Sequence, residues 1–226
     1  QPSTHVLQNA YTSVMKRALV AESKVSNAIA RVQLRTGFTN NNLSNQLKMV
    51  ARLIGARHSL ANKRQVFMVS IGGFDLHDNL VSKQPGLLRE VDTALTSFFK
   101  ATEELGVSDQ VTTFTASDFG RTLTSNGDGS DHGWGSHHFV MGGGLKGAQF
   151  YGEAPPVSAG DSNSAEDQWH VGQGRLLPRT STDQFAATLA RWFGVPEQDL
   201  AWILPNLKNF GAQAGRPDYP TDLGYF

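Results

Sequence analysis

Residues 66–73 read Val66-Phe67-Met68-Val69-Ser70-Ile71-Gly72-Gly73. A short, nearly continuous apolar run with β-branched members, stopped by two glycines, has the pattern of a strand buried on both faces. Outward from it, a loop is expected from Phe74 to Pro85 and a helix from about Gly86 to Leu105. Leu87, Val91, Leu95, Phe98 and Phe99 fall on or near one stripe of that helix, and Gly106 stands at its end. Val111-Thr112-Thr113-Phe114-Thr115 reads as a second strand. Strand, helix, strand at this spacing is a βαβ unit, which predicts two parallel strands with a right-handed crossover. Loops leaving the carboxyl ends of such strands share one rim of the sheet, where ligands bind. The loops that carry Asp75, His77 and Asp78, and then Ser117, Asp118 and Arg121, are therefore expected to meet.

The flanks read differently. Residues 1 to about 62 are expected to be helical. Leu43, Leu47, Val50, Ala51 and Ile54 follow the i, i+3, i+4, i+7 pattern, with Asn41 or Asn42 as cap and Gly55 near the end. Residues 123–137 form a Gly/Ser/Asn/Asp-rich loop, and Phe139-Val140-Met141 reads as a short strand ended by Gly142-Gly143-Gly144. Residues 152–180 read as an irregular surface excursion. A last helix carries Phe185, Leu189, Trp192 and Phe193, with Asp183 near its start and Gly194 after it. The tail from Gly211 to Phe226 is expected to be wrapped or loose.

Composition narrows the function classes. The 226 residues hold 20 Lys+Arg and 20 Asp+Glu, so the basic excess of a general nucleic-acid binder is missing. No apolar run approaches the ~20 residues of a membrane-spanning helix. There is no cysteine, which excludes disulfides, thiolate metal sites and a cysteine nucleophile. Of seven histidines, His132, His137 and His138 crowd into one short stretch.

That crowding suggests a metal centre. Asp75 and His77 come from the first loop, Asp118 from the second, and Asp131, His132, His137 and His138 from the third. Carboxylates and imidazoles without thiolate suit zinc, manganese or iron, or mixed pairs of divalent ions. Two such ions about 3.5–4 Å apart could grip both the attacking and leaving oxygens of a displacement. Taken singly, each residue has a plainer reading: an Asp after a strand is often a turn residue, and a His in a glycine-rich loop a hydrogen-bonder. Arg121 could clamp a phosphate or sulfate, or form a salt bridge to Asp118 or Asp128. Arg175 offers a weaker version of the same choice. Ser117, Thr122 and Ser136 are nearby hydroxyls, none in a nucleophile elbow, and Gly142-Gly143-Gly144 has neither dinucleotide nor P-loop spacing.

Several of these segments recur as an ordered series. Gly72-Gly73-Phe74-Asp75-Leu76-His77, Ser117-Asp118-Phe119-Gly120-Arg121-Thr122 and Ser130-Asp131-His132-Gly133-Trp134-Gly135 are joined by Tyr151-Gly152, Gly174-Arg175-Leu176-Leu177-Pro178 and Ala190-Arg191-Trp192-Phe193-Gly194. The series resembles the bacterial domain of unknown function 1501 family, often labelled sulfatase-like and placed in the alkaline phosphatase-like superfamily. It runs from about Asn41 to Phe210.

The resemblance implies a three-layer α/β/α sandwich on a mostly parallel sheet, with residues 1–62 as a helical segment packing on the core and 63–226 as the C-terminal part of an alkaline phosphatase-like domain. It implies two divalent metals (zinc, manganese, magnesium or calcium) at the sheet's carboxyl edge. Asp75 and His77 would serve one, Asp118 the other, and His132, His137 or His138 would add a late imidazole. Two departures stand out: Asp118-Phe119 replaces the superfamily's usual Asp-His, and the 75–77 spacing is shorter than usual. The superfamily's hydroxyl nucleophile lies on an early strand that residues 1–62 lack, so a missing N-terminal segment or a companion chain is expected. The activity implied is metal-dependent hydrolysis of phosphate or sulfate esters, on a small anionic ester or a sulfated or phosphorylated glycan. The implied location is periplasmic or extracellular, with no nucleic-acid partner and no membrane span. A non-catalytic exported binding or assembly module that keeps the fold is the alternative.

Overall fold

The computed structural model describes residues 5–226. Their contacts divide into two compact units, one comprising residues up to 71 with 90–107, the other 72–89 with 108–226.

The first unit is helical. Helix α1 (Val6–Ala30) buries only Ala28, and packs on α2 (Asn42–Gly55) and the short α3 (Arg57–Leu60). Helix α2 starts where the Asn41 side chain accepts the backbone N–H of Ser44 at 2.8 Å, which satisfies one of the donors a helix start leaves unpaired. Its buried face is Leu43, Ser44, Leu47, Val50, Ala51 and Ile54, the apolar stripe of the sequence with one small polar residue added. Helix α4 (Leu80–Glu104) contributes Ala94, Phe98, Ala101 and Thr102 as buried residues. At its far end Glu104 accepts the backbone N–H groups of Arg35 and Thr36 at 2.7 and 2.8 Å, and the Thr36 hydroxyl at 2.7 Å.

The expectation of a three-layer sandwich with a mostly parallel sheet is overturned. The described chain is about 45% helical, and its sheets are two small antiparallel pairs. Residues 66–71 belong to no ladder, and Val66 and Met68 are 80% and 94% exposed. What grips this run is a side chain: Gln46 Nε2 donates to Ser70 O at 2.9 Å, and Ser70 N–H donates to Gln46 Oε1 at 3.0 Å. One amide thus supplies the paired bonds a neighbouring strand would make. A β-rich run states a preference, and only pairing and cover from other segments turn it into a strand.

The second expected strand shrinks to β1 (Thr113–Phe114), which pairs antiparallel with β4 (Val140–Met141), so the parallel crossover is absent from the described residues. Helix α4 also begins six residues earlier than expected and carries Pro85 inside it. Its first turn is tied down from outside: Asn79 and Leu80 donate their N–H groups to the side chain and carbonyl of Asp128 at 2.9 and 3.1 Å. These bonds offset the local disruption a proline brings.

The second unit is organised by a hairpin and two helices. Strands β2 (Gly120–Ser125) and β3 (Ser130–Gly133) pair antiparallel, with Arg121 opposite His132 and Gly120 opposite Gly133. Helix α5 (Thr182–Phe193) opens with a capping box of Ser181 and Gln184 and closes on Gly194 at φ 92°. Helix α6 (Glu197–Ile203) follows, and Ala187, Leu200 and Leu207 form a small apolar core with Ala190, Val195 and Leu204. The tail wraps: Leu223 N–H donates to Thr188 Oγ1, and Tyr225 is buried with its hydroxyl on Phe185 O. No helix among the described residues is long and apolar enough to cross a membrane.

Candidate metal centre

The site is built where the loop at 72–79 meets the hairpin. Leu76 anchors the loop with its buried side chain, while its carbonyl accepts Ser130 N–H at 3.2 Å and Arg121 Nη2 at 3.0 Å. The approach is close enough to require glycine at 129: a Cβ there would sit against the backbone of His77 and 2.6 Å from Leu76 O. Asp75 and His77 flank the anchor residue and project from the loop, and His132 comes from β3.

Three ligand atoms converge. Asp75 Oδ1 lies 3.0 Å from His77 Nε2 and 3.0 Å from His132 Nε2, and the two imidazole nitrogens are 3.2 Å apart. Among the described residues this is the one group of three whose donor atoms could share a cation. His77 Nδ1 faces Asp131 Oδ1 at 3.2 Å. A carboxylate only accepts, so a proton held on Nδ1 toward Asp131 would leave Nε2, which faces Asp75 and His132, free to ligate. Two imidazole nitrogens and a carboxylate oxygen gathered at one point are a donor set that fits a divalent metal, with Asp131 placed as the carboxylate that would orient a ligating histidine from behind.

The surroundings hold these groups still. Arg121 Nη1 donates to Asp75 Oδ1, Nε to Ser130 Oγ at 3.0 Å, and Nη2 to the carbonyls of Leu76 and Ser130. A carboxylate oxygen has lone-pair capacity for both an N–H and a cation. The Arg121 guanidinium holds the Asp75 carboxyl below the usual carboxylate range, and the nearby imidazoles of His132 and His77 add to this. Asp131 is also lowered, chiefly by Asn126 Nδ2 donating to it at 3.1 Å, then by His77. Phe119 stacks on the His132 ring with centroids 3.9 Å apart and planes 17° from parallel. Arg175 Nε donates to His132 O at 3.1 Å.

The other sequence candidates are not among the three converging ligands. Asp118 and Asp131 are outside the converging three. His138 Nδ1 pairs with Thr115 Oγ1 at 3.2 Å, and burial pushes its pKa down. The His137 ring meets Phe139 edge-on. Arg121 takes the salt-bridge role, with Asp75 as partner in place of Asp118 or Asp128. Arg175 is likewise engaged by His132, Gly172 and Gln173. The Ser117 hydroxyl donates to Phe119 O, and the buried Thr122 hydroxyl donates to Thr124 O while accepting Asp131 N–H. Sequence reasoning passed over Asn126 and the ring-on-ring role of Phe119. Neither leaves a local signal, because each acts on a residue that only the hairpin brings near.

Compared with known proteins, the chain matches the family described as protein of unknown function (DUF1501) over residues 2–200. No curated protein and no solved structure matches it.

Proposed function

The chain belongs to the DUF1501 family, and from that membership and the site's geometry we propose that it is a metal-dependent hydrolase of phosphate or sulfate esters. The observation that carries this reading is the convergence of Asp75, His77 and His132 on one point. A bound divalent cation supplies an acidified water and a Lewis acid for the ester oxygens. The protein's part is positional. Asp131 would hold the His77 proton on Nδ1, Phe119 lies against the plane of His132, and Arg121 pins the carboxylate of Asp75. The site is open: the side chains of Asp75, His77 and His132 are each about half exposed, which gives an anionic ester direct access. We place one cation at this cluster, and a periplasmic or extracellular setting belongs to the same reading.

The second reading, a non-catalytic binding or assembly module, is favoured by one observation: the Arg121 guanidinium is committed to groups of its own chain instead of facing outward. One experiment separates the two. Protein purified without chelator is assayed on aryl phosphates and aryl sulfates, before and after chelation and metal return, beside Asp75→Asn. Turnover that follows the metal and disappears in the variant supports the hydrolase. Bound metal without turnover on either ester class supports the module.

A further inference from the structure

Trp134 follows β3 and stands two residues beyond His132. It is 67% exposed, whereas tryptophan is on average highly buried. Among the described residues no ring packs against its indole, and its Nε1–H meets no acceptor. The backbone beneath it is held on both sides. Gly133 pairs with Gly120 at the end of the hairpin, and Gly135 N–H donates to Leu176 O at 2.9 Å. Both flanking positions need glycine because other backbone lies so close: a Cβ at 133 would sit 2.5 Å from Arg121 O, and one at 135 would sit 2.9 Å from Leu176 O. The segment thus fixes the root of one large side chain and leaves its ring in the open.

Position ties this ring to the cluster. Two residues of chain separate Cα atoms by at most about 7 Å, whatever their conformation. Arg121 stands opposite His132 in the hairpin, and both side chains reach Asp75, so the cluster is built on that face. The alternation of strand side chains, carried one residue past the end of β3, brings position 134 to the same face. An indole offers a flat apolar surface with a single N–H on its edge. It therefore recognises another ring and not a charge. Trp202 is 86% exposed, but it stands on α6, far along the chain from every ligand residue.

We propose that Trp134 is the platform of a ring-binding subsite beside the metal cluster. The chain then takes phosphate or sulfate esters whose organic part is a ring, aromatic or sugar, in preference to short alkyl esters. This rests on the hydrolase reading above for where the anionic group sits, and it adds the organic half of the substrate. With the anion at Asp75, His77 and His132, the ring of the ester lies against the indole and covers it from water.

Non-hydrolysable analogues separate this claim from turnover. Titration calorimetry on the full chain, loaded with cobalt(II), compares phenylphosphonate with methylphosphonate, and benzenesulfonate and the sugar sulfonate sulfoquinovose with methanesulfonate. The wild type is expected to bind the ring compounds about tenfold more tightly than the methyl compounds, the size of one aromatic stacking contact. Trp134→Ala, checked for an unchanged circular-dichroism spectrum and cobalt affinity, is expected to lose that preference while holding the methyl compounds as before. Trp134→Phe should keep most of the preference and Trp202→Ala all of it. A preference for the phenyl compounds alone assigns the platform to aryl esters, and one that includes sulfoquinovose assigns it to sugars as well. Equal affinity for ring and methyl compounds in the wild type, no saturable binding of either, or a preference that survives in Trp134→Ala would overturn the proposal. A Trp134-dependent preference in a protein that turns over no ester would fail the hydrolase reading and leave the subsite standing.

Discussion

Asp75, in a loop, and Asp167, in the short 3-10 helix Glu166–Trp169, both have lowered pKa values, and they are surrounded in different ways. Asp167 sits inside a turn that points donors at it: the hydroxyls of Ser158 and Ser162, and the Ser162 N–H at 2.9 Å. Led by the Ser158 hydroxyl, these donors bring its pKa down to about 2. Asp75 has one guanidinium on it, and its remaining neighbours are the ring nitrogens of His77 and His132, each 3.0 Å away. The difference teaches how to tell a structural carboxylate from a ligating one. A carboxylate ringed by hydroxyl and amide donors is already satisfied, whereas one that shares its space with two imidazoles, which can ligate as well as donate, has chemistry left over for a cation.

The comparison breaks most visibly if the two acids are exchanged for their amides. Asp75→Asn is expected to weaken divalent-metal binding by about a hundredfold, at the upper end of what disturbing such a site costs. Asp167→Asn is expected to leave it unchanged and only lower the melting temperature. Isothermal titration beside thermal melts decides this, and equal metal affinities in the two variants would abolish the distinction. Gly129→Ala comes next. Its new Cβ meets the backbone of His77 and Leu76, so the hairpin must back away from the loop. We expect a loss of about 1–3 kcal/mol in unfolding stability by urea titration, together with weakened metal binding.

Asp131→Asn has a smaller expected effect. The amide oxygen can still accept from His77 Nδ1, but without the charge, so metal affinity should fall by about tenfold. The smallest effect is in acid. Asp167 and Glu104 both have folded-state values of about 2, below the ordinary 3.8 and 4.5. For Glu104 the Arg35 backbone N–H is the main cause, followed by the Thr36 hydroxyl. Lowered pKa values mean stability that is complete above the ordinary values and is lost as pH falls through about 2. Melting temperatures recorded between pH 5 and pH 2 should therefore fall less steeply in Glu104→Gln and in Asp167→Asn than in the wild type.

What could be read in advance follows from how local each feature is. The Asn41 cap and the Leu43–Ile54 stripe depend on neighbours within two turns of helix, and both are present in α2. Gly194 after α5 is equally local, while the cap before that helix is Ser181 with Gln184 and not the Asp183 read near its start. Residues 66–71 are the opposite case: their β character is plain in the residues, but a ladder must come from another segment, and Gln46 takes that place. The same divide runs through the site. Asp75, His77 and His132 could be named by type and do meet, yet the meeting arises from an antiparallel hairpin against a loop and not from the rim of a parallel sheet. Arg121 has one meaning beside an anion and another beside Asp75, and only the fold chooses between them.

The ring of Phe119 lying flat on His132 has a kinetic consequence. An imidazole on a solvent-facing strand would otherwise sample several rotamers, and a metal arriving by diffusion would wait for the one that presents Nε2. With the ring clamped by its neighbour, that search is completed during folding. Capture should then run at a rate set by ligand exchange around the incoming ion and not by side-chain motion, and Phe119→Ala should slow association more than it speeds release.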